Sequence, residues 1–246
     1  MTAPVFVVGH FDAGSDGRYV LDGPEGRHAV SVKRLRAGED VILTDGAGRR
    51  ARCVVVATEG KDRLIVRMDS VAEEPEAEPR ITVVQALPKG DRGELAVETM
   101  TEVGIDAIVP WAASRCITQW KGERGAKALA KWRATAREAG KQSRRVRFPE
   151  VADAATSKQV AALLAKADFA AVLHESGTEP LAAAELPTGG EIMLVVGPEG
   201  GVAPEELSLF AEAGAPAYRL GPSVLRTSTA GTAAAALLLG RTGRWS

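Results

Sequence analysis

The sequence predicts an α/β protein in two parts: a small β-barrel or sheet over residues 1–72, then a mostly parallel α/β domain over residues 80–246. Three observations carry that reading. Up to about residue 70, short runs of alternating apolar and polar residues are separated by turn signals such as DGAG at 45–48. AEEPEAEP at 72–79 is acidic, bears prolines and holds no apolar residue except Ala, a linker composition that places the boundary at 73–79. After it, apolar runs of strand length alternate with helical stretches.

In chain order, VFVV (5–8), VILT (41–44), ARCVVVA (51–57) and RLIVRM (63–68) read as the strands of the first part. In the second part, ITVVQAL (81–87), DAIVP (106–110), FAAVLHE (169–175), EIMLVVG (191–197) and PAYRLG (216–221) read as strands. Helices are expected at 94–104, with Gly104 closing the first, and at about 124–143, 157–167, 204–213 and 228–240. No internal repeat is present.

Apolar residues make up 45% of the chain and aromatic residues only 4%, so the core must be built mainly from Val, Leu, Ile and Ala, which suits α/β layers. No apolar run approaches the roughly 20 residues of a membrane span. The N-terminus lacks the basic start and apolar run of a signal peptide, so a cytoplasmic protein is expected. Cys53 and Cys116 have no nearby Cys or His at ligand spacing and read as buried free thiols, with no metal expected. His10, His28 and His174 are the only histidines, and none sits in a triad or ligand pattern, which argues against a serine or metal hydrolase.

The net charge of −1 hides an asymmetry. Lys121 to Arg147 carries ten basic residues and two acids, a net charge of +8. On a helical wheel, Leu129, Trp132, Ala136 and Ala139 share one face. Arg124, Lys127, Lys131, Arg133, Arg137, Lys141, Arg144 and Arg145 occupy the rest. A face of one sign, with few acidic partners at i,i+4, repels itself unless a polyanion covers it. The stretch reads as a nucleic-acid contact through phosphate neutralisation, or more plainly as a solvated surface.

EIMLVVGPEGGVAPEEL runs from a buried strand through a loop into a helix whose first turn suits Pro204, Glu205 and Glu206. Three glycines in five residues let a ligand approach the backbone closely, whereas a plain βα turn needs fewer. In open α/β sheets, ligands bind beyond the carboxyl ends of the strands. Neither GxxxxGK[ST] nor GxGxxG is present, so the loop is not a phosphate loop or a dinucleotide fingerprint. LGPSVLRTSTA at 220–230 has the same form, and Thr227 or Ser228 is the expected cap of its helix. Arg226 stands at the turn, as a functional residue or as half of a salt bridge.

With these two segments, the chain resembles the RsmE family of ribosomal RNA uracil-N3 methyltransferases, members of the knotted SPOUT class. ELAVETMTEVG followed by DAIVP, SRC at 114–116, EAGKQSRR (138–145) followed by FPEV, and HAVSVKRLRAGEDVILTDGAG (28–48) extend the resemblance over nearly the whole chain. It implies a PUA-like N-terminal β-barrel and a C-terminal α/β domain with a deep trefoil knot, an exception to the rule against threaded chains. It also implies S-adenosylmethionine as cofactor, a homodimer, and a uridine of 16S rRNA in the small ribosomal subunit as substrate.

By the same resemblance, Gly197, Pro198, Glu199, Gly200 and Gly201 form the first cofactor loop. Leu220, Gly221, Ser223 and Leu225 form the second, with Thr229 and Ala230 beyond it, and His174 and Glu175 belong to a third. Arg226 matches the family's arginine and is assigned the stabilisation of charge on the uracil oxygens. His28, Arg34 and Arg36, and Arg133, Arg137, Lys141, Arg144 and Arg145, are expected RNA contacts, although a lone His in a β domain is more often structural. The family commonly carries Glu where this chain has Ser228, so a mechanism using that Glu as base cannot operate here. The alternatives are a non-catalytic RNA-binding assembly factor of the same fold, or a knotted methyltransferase for another rRNA or tRNA base.

Overall fold

The computed structural model describes residues 3–12, 14 and 16–245. They divide into two units, one of residues 1–76 and 140–148, the other of residues 77–139 and 149–246. The outermost residues of the expected domains, 1, 2 and 246, lie outside the described residues.

In the first unit the strands are β1 (Val5–Val7), β2 (Arg18–Leu21), β3 (Asp40–Thr44), β4 (Arg49–Glu59) and β5 (Arg63–Glu73), with a short helix α1 (Gly23–Arg27). The described strands form one sheet in the order β1-β3-β4-β5-β2. It is antiparallel except where β1 runs beside β3. Alternation drives it: in β5, Leu64 and Val66 are fully buried while Arg63 and Arg67 face water. The β3–β4 turn is shaped by Asp45, whose Oδ1 accepts from the N–H groups of Ala47 (2.7 Å) and Arg49 (3.0 Å). β2, α1 and a π-helical turn at His28–Val32 are additions to the expected elements; each is too short to show a period.

The grouping of residues 140–148 with this unit departs from the expected span of 80–246. The segment pairs with the β3–β4 turn. Gly48 and Phe148 donate their N–H groups to the carbonyls of Val146 (3.2 Å) and Gly46 (2.8 Å). Lys141 is buried in an ion pair with Glu25 at 2.9 Å.

The second unit contains β6 (Arg80–Ala86), α2 (Arg92–Val103), β7 (Ala107–Trp111), α3 (Gly122–Gln142, its last three residues belonging to the first unit), β8 (Glu150–Val151) and α4 (Ser157–Leu164). It continues with β9 (Phe169–Leu173), β10 (Glu179–Pro180), β11 (Glu191–Val196), α5 (Pro204–Glu212), β12 (Ala217–Arg219) and α6 (Thr227–Arg241). The described strands make one sheet, β10-β12-β9-β11-β6-β7-β8, parallel throughout. β6 and β11 lie inside it and are buried almost end to end, mostly by apolar side chains, as a strand covered on both faces requires. α2 stops at Gly104, in the left-handed region at φ 113°. α2 packs on α6, where Thr99 and Thr232 share a hydrogen bond of 2.7 Å.

Candidate active site

Because every strand of this sheet points the same way, the loops after β6, β7, β9, β11 and β12 all leave at carboxyl ends. β9 lies between β12 and β11, which makes their three following loops neighbours. They line two adjoining hollows, open to solvent, of about 560 and 1100 Å³. Leu173, His174, Glu175, Val224, Leu225 and Ala230 border both.

The structure brings most of the expected cofactor residues here. Gly197, Pro198, Glu199, Gly200 and Gly201 line the larger hollow, Leu220, Gly221 and Ser223 the smaller, and His174, Glu175, Leu225 and Ala230 both. Thr229 is not in the lining; its hydroxyl donates to the Arg226 carbonyl at 3.2 Å. Ser228 is 3% exposed and also lies off the lining.

The glycines of the first loop serve different ends. Gly201 alone takes a left-handed conformation, at φ 72°. Gly197 faces the Val202 side chain, which a Cβ there would meet at 2.7 Å.

The loop is held from several sides. Glu199 Oε1 accepts from the Lys89 N–H at 3.1 Å and stands 3.7 Å from the Arg92 guanidinium. Arg115 donates to the Gly200 carbonyl at 3.3 Å. Glu206, 6% exposed, sits below. It accepts from Ser114 N–H (2.8 Å), the Ser114 hydroxyl (3.0 Å), the Ser157 hydroxyl (2.7 Å) and Ala203 N–H (3.3 Å). A buried carboxylate with four donors is well satisfied, and it ties the loop after β7 to the start of α5.

The expected helix cap is corrected. Arg226 itself is the N-cap of α6, with extended backbone and no side-chain cap. Thr227 turns its hydroxyl to the Gly197 carbonyl at 2.7 Å instead. The Arg226 side chain is exposed, lines the larger hollow and has no ion-pair partner among the described residues. Arg92 and Arg115 line the same hollow. Sequence reasoning did not single out either, nor Gln85, the one amide in an apolar strand run and the only signal available for it.

The expected RNA contacts divide. In the first unit, Arg34, Arg36 and Arg144 are exposed. Arg34 and Arg144 hold left-handed backbone, at φ 56° and 61°. Arg145 is half-buried. His28 is also half-buried and packs edge-on against Phe6, with ring centroids 5.9 Å apart. Lys141 is a correction: it is 8% exposed and closed in its pair with Glu25, out of reach of a phosphate. In the second unit, Arg137 is exposed. Arg133 binds the Val151 carbonyl (3.0 Å) and Asp153 (2.9 Å). Trp132 and Ala136 are buried, as the wheel requires.

Comparison with known proteins places these features in a family. The model of the RNA methyltransferase domain matches residues 75–239, and that of the RNA methyltransferase PUA domain matches residues 21–69. Ribosomal RNA small subunit methyltransferase E of Mycobacterium bovis is 47% identical over 231 residues, covering 92% of this chain and 87% of that protein. The structure of Ribosomal RNA small subunit methyltransferase E from Neisseria gonorrhoeae, bound to S-adenosyl methionine, superposes with a TM-score of 0.83 at 28% identity, covering 98% of each chain. A Legionella pneumophila protein solved with the bound cofactor SAM gives 0.86 at 27% identity, again over 98% of both.

Proposed function

We propose, from the premise that the chain belongs to the RNA methyltransferase family whose curated members are named ribosomal RNA small subunit methyltransferase E, that it methylates N3 of a uridine in 16S rRNA with S-adenosylmethionine as donor. The observation that carries this reading is the convergence of the loops after β9, β11 and β12 on one hollow with the exposed Arg226 at its side.

The lining fits such a donor. Leu220, Leu225 and Ala230 offer apolar surface to a base, the glycine loops offer backbone groups, and Glu199 offers a carboxylate to a ribose or amino group. When bound, the donor would supply a methyl group carried on its sulfonium sulfur and would leave as the neutral thioether. The chain's own work is to orient the two partners for in-line transfer. Arg226 faces the uracil. As N3 gives up its proton to solvent, negative charge spreads to O2 and O4, and a guanidinium there stabilises it. Ser228 takes no part as base, since it is buried off the lining.

The same reading folds the N-terminal sheet as a PUA-like barrel, threads the second unit through a deep trefoil knot and makes the protein a homodimer. It puts the protein in the cytoplasm with its RNA; no helix among the described residues is long and apolar enough to cross a membrane. Calorimetry with S-adenosylmethionine and a modification map of 16S rRNA from cells lacking the protein test the proposal. Absent donor binding, or an unchanged pattern of uracil N3 methylation, would refute it.

A further inference from the structure

We infer that Gln85 is the positioning residue of the donor cleft, holding the loop after β11 and the start of α6 at one separation through Thr227. The inference rests on the methyl-donor reading. Gln85 is the register partner of Val196, the last residue of β11, and is 0% exposed. Its Nε2 donates to the Ala86 carbonyl and to Thr227 Oγ1, both at 3.1 Å. Thr227 Oγ1 donates in turn to the Gly197 carbonyl at 2.7 Å.

Proton count fixes the direction of this chain. The amide nitrogen has two protons, and both are used. Turning the amide over would set oxygen against the Ala86 carbonyl and strand two N–H groups. Thr227 has one proton, and because it accepts from Gln85 that proton goes to Gly197. The Gly197 carbonyl is therefore pinned inward. Pro198 follows with its fixed φ, and its own carbonyl accepts from Gly201 N–H at 2.9 Å. Gln85 and Thr227 thus pin the loop at its first residue.

Gln85 Oε1 is buried with no hydrogen-bond partner among the described residues. An unmet acceptor in a central strand weakens the fold, and an aliphatic residue would fill the strand without that penalty. Such a local conflict is expected where a residue serves the site.

The test is calorimetric binding of S-adenosylhomocysteine to the full chain. Gln85→Met and Thr227→Val are each expected to weaken binding by roughly ten-fold, the size of one well-placed hydrogen bond. The double variant is expected to bind within about two-fold of either single one, because both cut the same chain. Thr227→Ser, which keeps the hydroxyl, regains most of the affinity lost in Thr227→Val. Folded variants that bind like the wild type, or losses that multiply in the double variant, would overturn the inference. If Gln85→Met does not fold, Thr227→Val against Thr227→Ser decides the matter. A wild-type protein that binds no S-adenosylhomocysteine would instead sink the donor reading itself.

Discussion

Lys141 Nζ lies 2.9 Å from Glu25 Oε1, with the two side chains 7% and 14% exposed. A pair this enclosed is a structural tie between α1 and the 140–148 segment of the first unit. Removing Lys141 takes the facing cation away from a buried carboxylate. Lys141→Met should lower the free energy of unfolding by about 3 kcal/mol in urea titrations. It should leave the salt slope of RNA binding unchanged, whereas Arg144→Ala should reduce that slope by about 1. A drop in slope with Lys141→Met would restore it as an RNA contact.

Arg226 is exposed at the α6 N-cap without an ion-pair partner among the described residues. Charge held free of a carboxylate is available to the substrate. Arg226→Ala should cut kcat by roughly 100-fold. Its dissociation constant for S-adenosylmethionine should stay within about two-fold of wild type. Full turnover in the folded variant would refute the assignment.

Glu199 already spans to Lys89 N–H and toward Arg92. That occupancy marks it as a contact that holds the loop. Glu199→Gln keeps an acceptor for Lys89, so a loss of a few-fold in donor affinity is expected. The shape of the pH–rate profile should be preserved. Disappearance of the acidic limb would show a general base instead.

Both cysteines are free and buried. Burial pushes the Cys53 thiol up to about 12, with Asp69 adding to the rise, and burial also raises Cys116. A raised thiol pKa keeps the neutral form until the pH approaches that value. At pH 8 roughly one Cys53 in ten thousand is thiolate. Native protein should therefore resist alkylation by iodoacetamide at pH 8, and both thiols should react after unfolding. Rapid modification of the native protein, followed by mass spectrometry, would contradict this.

Much of the fold and the outline of the site were legible in the residues. The strands of the second unit follow from runs such as ITVVQAL and EIMLVVG, because a strand covered on both faces is mostly apolar. The two loops follow from the glycines of GPEGG and the turn in LGPSVLRTSTA. Gly104 ends α2 where a left-handed residue was expected.

Local pattern by itself determined the longer elements, their order along the chain, and the two segments that make the cleft. Tertiary structure decided what depends on residues distant in sequence. Lys141 belongs to a helical pattern that reads as cationic surface, yet its partner is 116 positions away. The 140–148 segment joins the first unit through a turn formed at residues 45–48. Thr227 reads as a helix cap, but its hydroxyl meets a carbonyl 30 positions before it and an amide 142 before it. Periodicity reports which face of an element is buried. Which polar group lies opposite a buried one is set only when the chain closes on itself.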